Sequence, residues 1–239
     1  MGTKYESIGS GVLKRRERRV LGLFIDGTGL DRATRRLKRK VDLSRLVRGV
    51  TSGSVPIVAR YYTLIPYEDD SRQRAFLDAV HKAGLTVIVK RLPPKGVSRQ
   101  VSVDVEMAAD IVAFAQGHTD FSDLSAYDPK DFIAPAQGSA LPTALPFMDS
   151  NPKARKNHSN GNDLKPRKIT LSNKQEEENI KRIVTVVCPS REISYPIALA
   201  RELGAETATA DFGQFNSGDI LKSAAKWIDL SDSETIWRE

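Results

Sequence analysis

The sequence feature that most constrains the fold is a short apolar segment that ends in an acid. Residues 21–25 read Leu-Gly-Leu-Phe-Ile, and Asp26, Gly27, Thr28 and Gly29 follow, before a long basic segment. This pattern is typical of the first strand of a parallel α/β sheet, which delivers the chain to a turn. Because open α/β sheets bind ligands beyond the carboxyl ends of their strands, the pattern places Asp26 where chemistry is expected.

Two known turn motifs fit this segment poorly. A dinucleotide-binding turn needs a third glycine, and this chain has Arg32 at that position. The sequence Asp26-Gly27-Thr28 also resembles the first motif of haloacid-dehalogenase-like phosphatases, but their nucleophilic aspartate lies two residues earlier, where Phe24 stands. Phosphoester turnover that depended on Asp26 would be needed to revive a phosphatase hypothesis.

Length and charge indicate a single domain with a polyanionic partner. The chain has 239 residues, a formal charge of +7 and a pI near 9.5, and its cations cluster in residues 14–19 and 32–40. Such a length suits one α/β domain with a sizeable core. The clusters fit contacts with a phosphate backbone, with a solvated helix face as the alternative.

Composition also argues against several classes of protein. The single cysteine, Cys188, ends an apolar segment, so we expect it in the core rather than in a disulfide. One cysteine and three scattered histidines argue against zinc. No segment approaches the ~20 apolar residues of a membrane span. We therefore expect no membrane association and a cytoplasmic location, and the basic, nearly acid-free start leaves an organelle matrix as the alternative.

The remaining pattern alternates between strands and helices. We predict one helix from Asp31 to Arg48, another from Asp69 or Asp70 to Lys82, and a third from Val103. The second helix is expected to turn Ala75, Phe76, Ala79 and Val80 inward. Further strands are predicted at 55–63, 85–91, 183–188, 205–210 and 227–230, and further helices at 197–203 and 217–226. This alternation predicts an α/β fold with a parallel sheet flanked by helices.

Three segments lie outside this alternation. Residues 1–20 form a predicted basic arm, and residues 231–239 a predicted tail, around a domain at 21–230. Residues 117–181 form a long irregular insertion, rich in Pro, Ser, Asn and Asp, that contains Asp120 and Asp123. This insertion is either a functional segment that contacts a protein partner or is disordered alone.

Acids in the third predicted helix are candidates for a site. Asp104 shares the apolar face of Met107, Ala108 and Ile111 at the amino end of the helix, where burying an acid is costly unless something binds it. Asp110 lies about 120° away from that face in a regular helix. A helix-terminal acid favoured by the macrodipole remains the alternative for Asp104.

The order of these segments resembles the NYN group of PIN-like nucleases, the LabA-like family. The matching segments are 24–30, 60–63, 103–111, the strand that leads to Pro196 and Ile197, and 217–230. The resemblance covers residues 21–116 and 182–230, and it implies a PIN-like, Rossmann-like sheet. It also implies a metal-dependent ribonuclease, a phosphodiester hydrolase that uses Mg²⁺ or Mn²⁺ held by Asp26, Asp104 and Asp110. Clustered carboxylates suit hard cations, which activate water and neutralise phosphate charge.

The chain departs from the family pattern at two places. Gly29 replaces an asparagine, and the acidic turn after the fourth strand carries Arg191 and Ile193 at its two acid positions. Glu192 is the nearby acid that remains as a metal ligand. Two hypotheses follow: an RNA-binding protein that is also an active endoribonuclease, or a degenerate domain that binds RNA or scaffolds a ribonucleoprotein. For RNA contacts we predict Arg32, Arg35, Arg36, Arg39, Lys95 and Arg191.

Overall fold

The computed structural model describes residues 18–68, 71–121, 126–127, 180–215, 218–231 and 234–238. The predicted arm up to residue 17 and most of the predicted insertion, including Asp123, lie outside these residues. Within them the chain folds around a six-stranded sheet, in which every pair of neighbouring strands is parallel. The predicted α/β fold with a parallel sheet flanked by helices is therefore confirmed.

The strand order places a crevice at the middle of the sheet. The strands are β1 Arg18–Asp26, β2 Val58–Ile65, β3 Thr86–Arg91, β4 Ile180–Val187, β5 Glu206–Asp211 and β6 Lys226–Asp229. They are ordered β3-β2-β1-β4-β5-β6, so the chain proceeds outward from β1 on one side and then from β4 on the other. Ligands of such sheets bind where the order reverses, which here is at the carboxyl ends of β1 and β4.

Helices cover both faces of the sheet. They are α1 Gly27–Leu37, α2 Leu43–Val50, α3 Ser71–Lys82, α4 Asp104–Ala115, α5 Ser194–Glu202 and α6 Gly218–Ser223, with short 3₁₀ helices at Arg191–Ile193, Gly213–Phe215 and Glu234–Ile236. Buried residues of α1, α2 and α3 pack on one face, and those of α4, α5 and α6 pack on the other.

Strand β1 lies in the centre and is buried on both faces, which explains its continuous apolar sequence. Leu23 and Ile25 contribute to the core beneath α1, whereas Phe24 contributes to the core beneath α4. The rings of Phe24 and Phe114 meet edge to face, with centroids 5.9 Å apart.

The predicted helix from Asp31 to Arg48 was wrong, because the structure has two helices there. Helix α1 begins directly after β1, where the Asp26 carboxylate accepts a hydrogen bond from the Gly29 amide. It ends at Lys38, whose left-handed backbone (φ 54°) closes the last turn. Asp42 then caps α2 by accepting the Arg45 amide. The left-handed Lys38 and the Asp42 cap therefore interrupt an apolar pattern that continues through both helices.

The inner face predicted for helix α3 was right at Val80 and wrong at its other three positions. Leu77 and Val80 are its buried residues, whereas Ala75, Phe76 and Ala79 are exposed. The inner stripe predicted for α4 comprised Met107, Ala108, Ile111, Val112 and Ala115. Met107, Ile111 and Ala115 are buried together with Phe114, whereas Ala108 and Val112 are half-buried.

Ordered structure extends past several predicted boundaries. Residues 18–20 belong to β1 rather than to an arm, and β4 begins at Ile180 within the predicted insertion. Tyr127 of that insertion is buried, and its hydroxyl donates to Asp78 of α3 at 2.9 Å. Ile236 and Trp237, which lie in the predicted tail, are buried in the core beneath α2. Among the described residues, no helix has the length and apolar character needed to cross a membrane.

Candidate active site

The candidate site lies at the crevice between β1 and β4, where β1 ends in Asp26. This aspartate is only 3% exposed, and its Oδ1 accepts the Gly29 amide at 2.9 Å. The pKa of Asp26 is raised from 3.8 to about 6, chiefly by burial and also by the neighbouring Asp104 carboxylate, against the lowering effect of the Gly29 amide. The chain therefore holds an acid here at a cost that a bound cation would offset.

The second acid is Asp104, the first residue of α4. Its Oδ1 accepts a hydrogen bond from the Ser190 hydroxyl at 2.8 Å, and its Oδ2 accepts one from the Ser102 hydroxyl. Ser102 also accepts the Asp104 amide, at 3.0 Å. Because Ser190 follows β4, these bonds fix Asp104 at the crevice. Asp26 and Asp104 are thus close enough to repel each other electrostatically.

Asp110 lies elsewhere, although the family resemblance implies that it is a ligand. Its Oδ2 accepts hydrogen bonds from Arg60, at 2.7 Å, and from the Tyr62 hydroxyl, at 2.6 Å. The side chains of Arg60 and Asp110 are 6% and 16% exposed, so the pair is nearly buried. Six residues along a helix displace Asp110 from Asp104 by about 9 Å and by about 120°. The structure therefore joins Asp110 to β2 rather than to the acid pair.

The two charged residues after β4 are exposed. Arg191 forms an ion pair with Asp219 of α6, with Nε 2.7 Å from Oδ2, and Glu192 is exposed beside it on the same 3₁₀ helix. In the described part of the chain, no hydrogen bond or ion pair joins either side chain to Asp26 or Asp104. The structure thus does not bring Glu192 to the acid pair, and Arg191 is paired with an acid of the same chain.

Gly29 has a packing role that the sequence did not reveal. A Cβ atom at this position would lie 2.1 Å from the backbone oxygen of Cys188, which no side chain can tolerate. The amino end of α1 therefore packs directly against the residue that follows β4. Cys188 is buried in the core, as predicted, in a left-handed conformation with φ 49°. Burial raises the pKa of its thiol, which makes it unreactive.

Asp211 is a further strand-end acid that sequence reasoning missed. It ends β5, is 6% exposed, and accepts a hydrogen bond from the Trp227 indole at 3.2 Å. With Gly29, Arg32 and Cys188 it lines a cleft of about 120 Å³. The signal was available, because an acid ends a strand of small residues here just as Asp26 ends β1.

Four of the predicted RNA-binding cations lie beside α1, two on each side. Arg32 and Arg36 line the same cleft as Asp211, and the Arg36 guanidinium lies over the Phe215 ring, 5.4 Å from its centroid. Arg35 pairs with Asp31, and Arg39 lies over the Trp237 ring at 4.2 Å on the other side. Lys95 is exposed in the connection between β3 and α4.

The chemistry of the acid pair fits a single hard cation. Within the described ranges, no group of three or more histidine, cysteine, aspartate and glutamate side chains is arranged to hold a metal ion. Mg²⁺ usually keeps several waters and takes one or two protein carboxylates together with phosphate oxygens. Asp26 and Asp104 match that donor set, and a cation would relieve their mutual repulsion. They provide no second metal position.

Comparisons with known proteins agree with the fold, and one family model matches part of the chain. The structure is similar to a crystal structure of a protein of unknown function from Vibrio parahaemolyticus, with a TM-score of 0.57 and 10% sequence identity. The match covers 94% of this chain and 98% of the other, and it supports the fold alone, which is consistent with a PIN-like sheet. No curated protein matches the sequence. Residues 20–136, which include both members of the acid pair, match the model of the NYN domain family.

Proposed function

We propose that this chain is an RNA-binding protein with a LabA-like NYN domain, and that it is a metal-dependent endoribonuclease that uses Asp26 and Asp104. The observation that carries the proposal is the buried Asp26 carboxylate beside the Asp104 carboxylate at the crevice between β1 and β4. A buried acid beside a second carboxylate is unfavourable unless a cation or proton compensates its charge. The family match over residues 20–136 supports a nuclease-type domain.

In this proposal the two carboxylates hold one Mg²⁺ or Mn²⁺. When bound, the ion supplies an activated water and neutralises charge on the scissile phosphate. The Gly29 amide orients Asp26, and the hydroxyls of Ser102 and Ser190 orient Asp104. Such supporting hydrogen bonds hold ligands ready for the metal and limit their motion.

The basic face of α1 would bind the RNA backbone beside the acid pair. Arg32 is close enough to lower the pKa of Asp26, and Arg36 lines the same cleft. Guanidinium groups suit phosphate because they donate two parallel hydrogen bonds. The excess of positive charge in the sequence serves the same contact, since phosphate binding releases counterions.

RNA binding without cleavage is the second candidate function. It is favoured by the ion pair between Arg191 and Asp219, because Arg191 stands where the family resemblance implies a metal-binding acid. Asp110 is likewise held by Arg60 and Tyr62. A site reduced to two carboxylates would then bind a phosphate through one ion and act as an RNA-binding or scaffolding module.

The proposed location and protein partner rest on the sequence. One free cysteine suits a reducing compartment, so we propose the cytoplasm, with an organelle matrix as the alternative. The segment 117–181 remains the proposed contact for a protein partner.

A cleavage assay separates the two candidates. A mixed pool of single-stranded and structured RNA would be incubated with Mn²⁺ or Mg²⁺, with EDTA as a control. Asp26→Asn and Asp104→Asn should abolish cleavage, whereas Glu202→Gln, which removes an exposed acid of α5, should retain it. If the wild-type chain binds the pool without cutting it, the binding function stands and the endoribonuclease is excluded.

A further inference from the structure

A second cleft lies on the opposite side of α1 from Arg32 and Arg36. It is bounded by α1, by the connection from Lys38 to Asp42, and by α3, and its volume is about 600 Å³. That volume falls within the range of small-molecule sites. The cleft is therefore large enough to hold one nucleotide.

The floor of this cleft is apolar and aromatic. Leu30, Tyr61 and Phe76 contribute to it, and the rings of Tyr61 and Phe76 meet edge to face with centroids 6.1 Å apart. Phe76 is 45% exposed, although the sequence pattern predicted it to face the core. An aromatic ring that is supported on one side by another ring and open on the other is suited to stacking with a base.

The rim of the cleft is basic. It carries Arg35, Lys38, Arg39, Lys40 and Arg238, against two acids, Asp31 and Asp42. Arg35 is engaged by Asp31 and Arg39 by the Trp237 ring. In the described part of the chain, Lys38 and Lys40 are exposed and form no ion pair. These two ammonium groups remain available for an anion from outside the domain.

Helix α1 therefore separates two basic clefts. The first contains Arg32, Arg36 and the strand-end acid Asp211, and the second contains Lys38, Lys40 and Phe76. Both clefts are lined by residues of the same short helix. A single-stranded RNA of a few nucleotides is therefore long enough to contact both clefts.

We propose that the second cleft binds one unpaired nucleotide of an RNA, with the base on Phe76 and the adjacent phosphate on Lys38 and Lys40. This inference rests on the proposed RNA-binding function and adds a contact away from the acid pair. Phosphate matches the net positive charge of the rim, and a base matches the aromatic floor. A paired base in a duplex keeps its faces stacked and cannot enter, so the cleft would favour single strands.

The test measures fluorescence anisotropy of a labelled, unstructured ten-nucleotide RNA in EDTA, which prevents cleavage. Phe76→Ala should weaken binding about tenfold, as expected for one lost stacking contact. The double variant Lys38→Ala/Lys40→Ala should reduce the slope of log affinity against log salt by about 0.7, the value for one phosphate contact on a single strand. Phe76→Tyr, which keeps a ring, should restore wild-type affinity.

A matched control is Tyr195→Ala, since Tyr195 is 74% exposed on α5 and lies outside the cleft. It should bind RNA like the wild type. Thermal melting by circular dichroism would verify that each variant is folded. If Phe76→Ala does not fold, the lysine double variant decides whether the cleft binds RNA.

Two failures are distinguishable. If the wild type binds RNA, and the Phe76 and lysine variants bind it as tightly as Tyr195→Ala, the cleft is not a nucleotide site and the proposed function stands. If the wild type binds no RNA, the proposed function fails and the inference fails with it. Lysine-dependent binding of an acidic peptide in place of RNA would also overturn the inference.

Discussion

Ser190 donates its hydroxyl hydrogen to Oδ1 of Asp104 at 2.8 Å, and this bond ties the turn after β4 to the amino end of α4. Ser190 follows β4, which is one of the two strands between which the strand order reverses. Asp104 therefore depends for its orientation on a residue that is distant in sequence. Because the Ser102 hydroxyl occupies the other oxygen, the two serines together fix the carboxylate.

Ser190→Ala tests whether this bond prepares Asp104 for a cation. The variant should bind Mn²⁺ about tenfold more weakly by calorimetry, because groups that orient a ligand typically change metal affinity by that order. It should also lose about 1 kcal/mol of unfolding free energy. Ser223→Ala is the control, since Ser223 donates only to the Ile220 backbone oxygen. Equal Mn²⁺ affinity in both variants would show that Ser190 does not orient the ligand.

The raised pKa of Asp26 predicts how stability changes with pH in the absence of metal. The folded chain holds a proton on Asp26 up to about pH 6, whereas the unfolded chain releases it near 3.8. Protonated Asp26 therefore contributes its full amount to the free energy of unfolding below pH 3.8. This contribution is lost as the pH rises to about 6. At pH 7 the ionised Asp26 lowers the free energy of unfolding by about 3 kcal/mol, from 1.36 kcal/mol for each pKa unit.

Asp26→Asn should remove this cost, since an asparagine oxygen still accepts the Gly29 amide. Urea denaturation in EDTA would then show a variant that is more stable than wild type at pH 7, with the difference vanishing near pH 4. Parallel pH profiles for the two proteins would contradict a buried, uncompensated Asp26.

Asp110→Ala distinguishes a structural acid from a metal ligand. The variant takes the Asp110 carboxylate away from the Arg60 guanidinium, and removing one partner of a nearly buried ion pair costs about 3–5 kcal/mol. Measured on folded protein, the Mn²⁺ affinity should equal that of the wild type. Loss of Mn²⁺ binding at unchanged stability would instead return Asp110 to the metal site that the family resemblance implies.

Gly29→Ala tests the contact between α1 and the end of β4. The added Cβ would lie 2.1 Å from the Cys188 backbone oxygen, so the helix must shift, at a cost of at least about 1–3 kcal/mol. Gly218→Ala is the matched control, because a Cβ there meets no atom within 4 Å. Thermal melts of both variants would check this, and equal melting temperatures would rule out the tight contact.

The parts of the site that sequence could predict are those set by local pattern. A buried strand that ends in an acid gave Asp26, and an acid at the start of an apolar helical stripe gave Asp104. Asp110 could not be placed in this way, because its position depends on Arg60 and Tyr62 of β2, and no local pattern encodes that pairing.

The errors in the fold have a similar origin. Apolar spacing continues across α1 and α2, so only the left-handed Lys38 and the cap made by Asp42 reveal the break. Trp237 follows a polar segment, and its burial depends on stacking against Phe212, with ring centroids 5.4 Å apart. Asp211 was missed although it ends a strand as Asp26 does, because β5 consists of small residues and lacks the continuous apolar sequence of β1.

The most direct test of the acid pair is a titration with Mn²⁺ followed by electron paramagnetic resonance, which counts free ions. Wild type and Asp31→Asn should bind one ion, and Asp26→Asn and Asp104→Asn should each bind it at least about tenfold more weakly. Wild-type binding in both Asp26→Asn and Asp104→Asn would contradict a cation site at the crevice between β1 and β4.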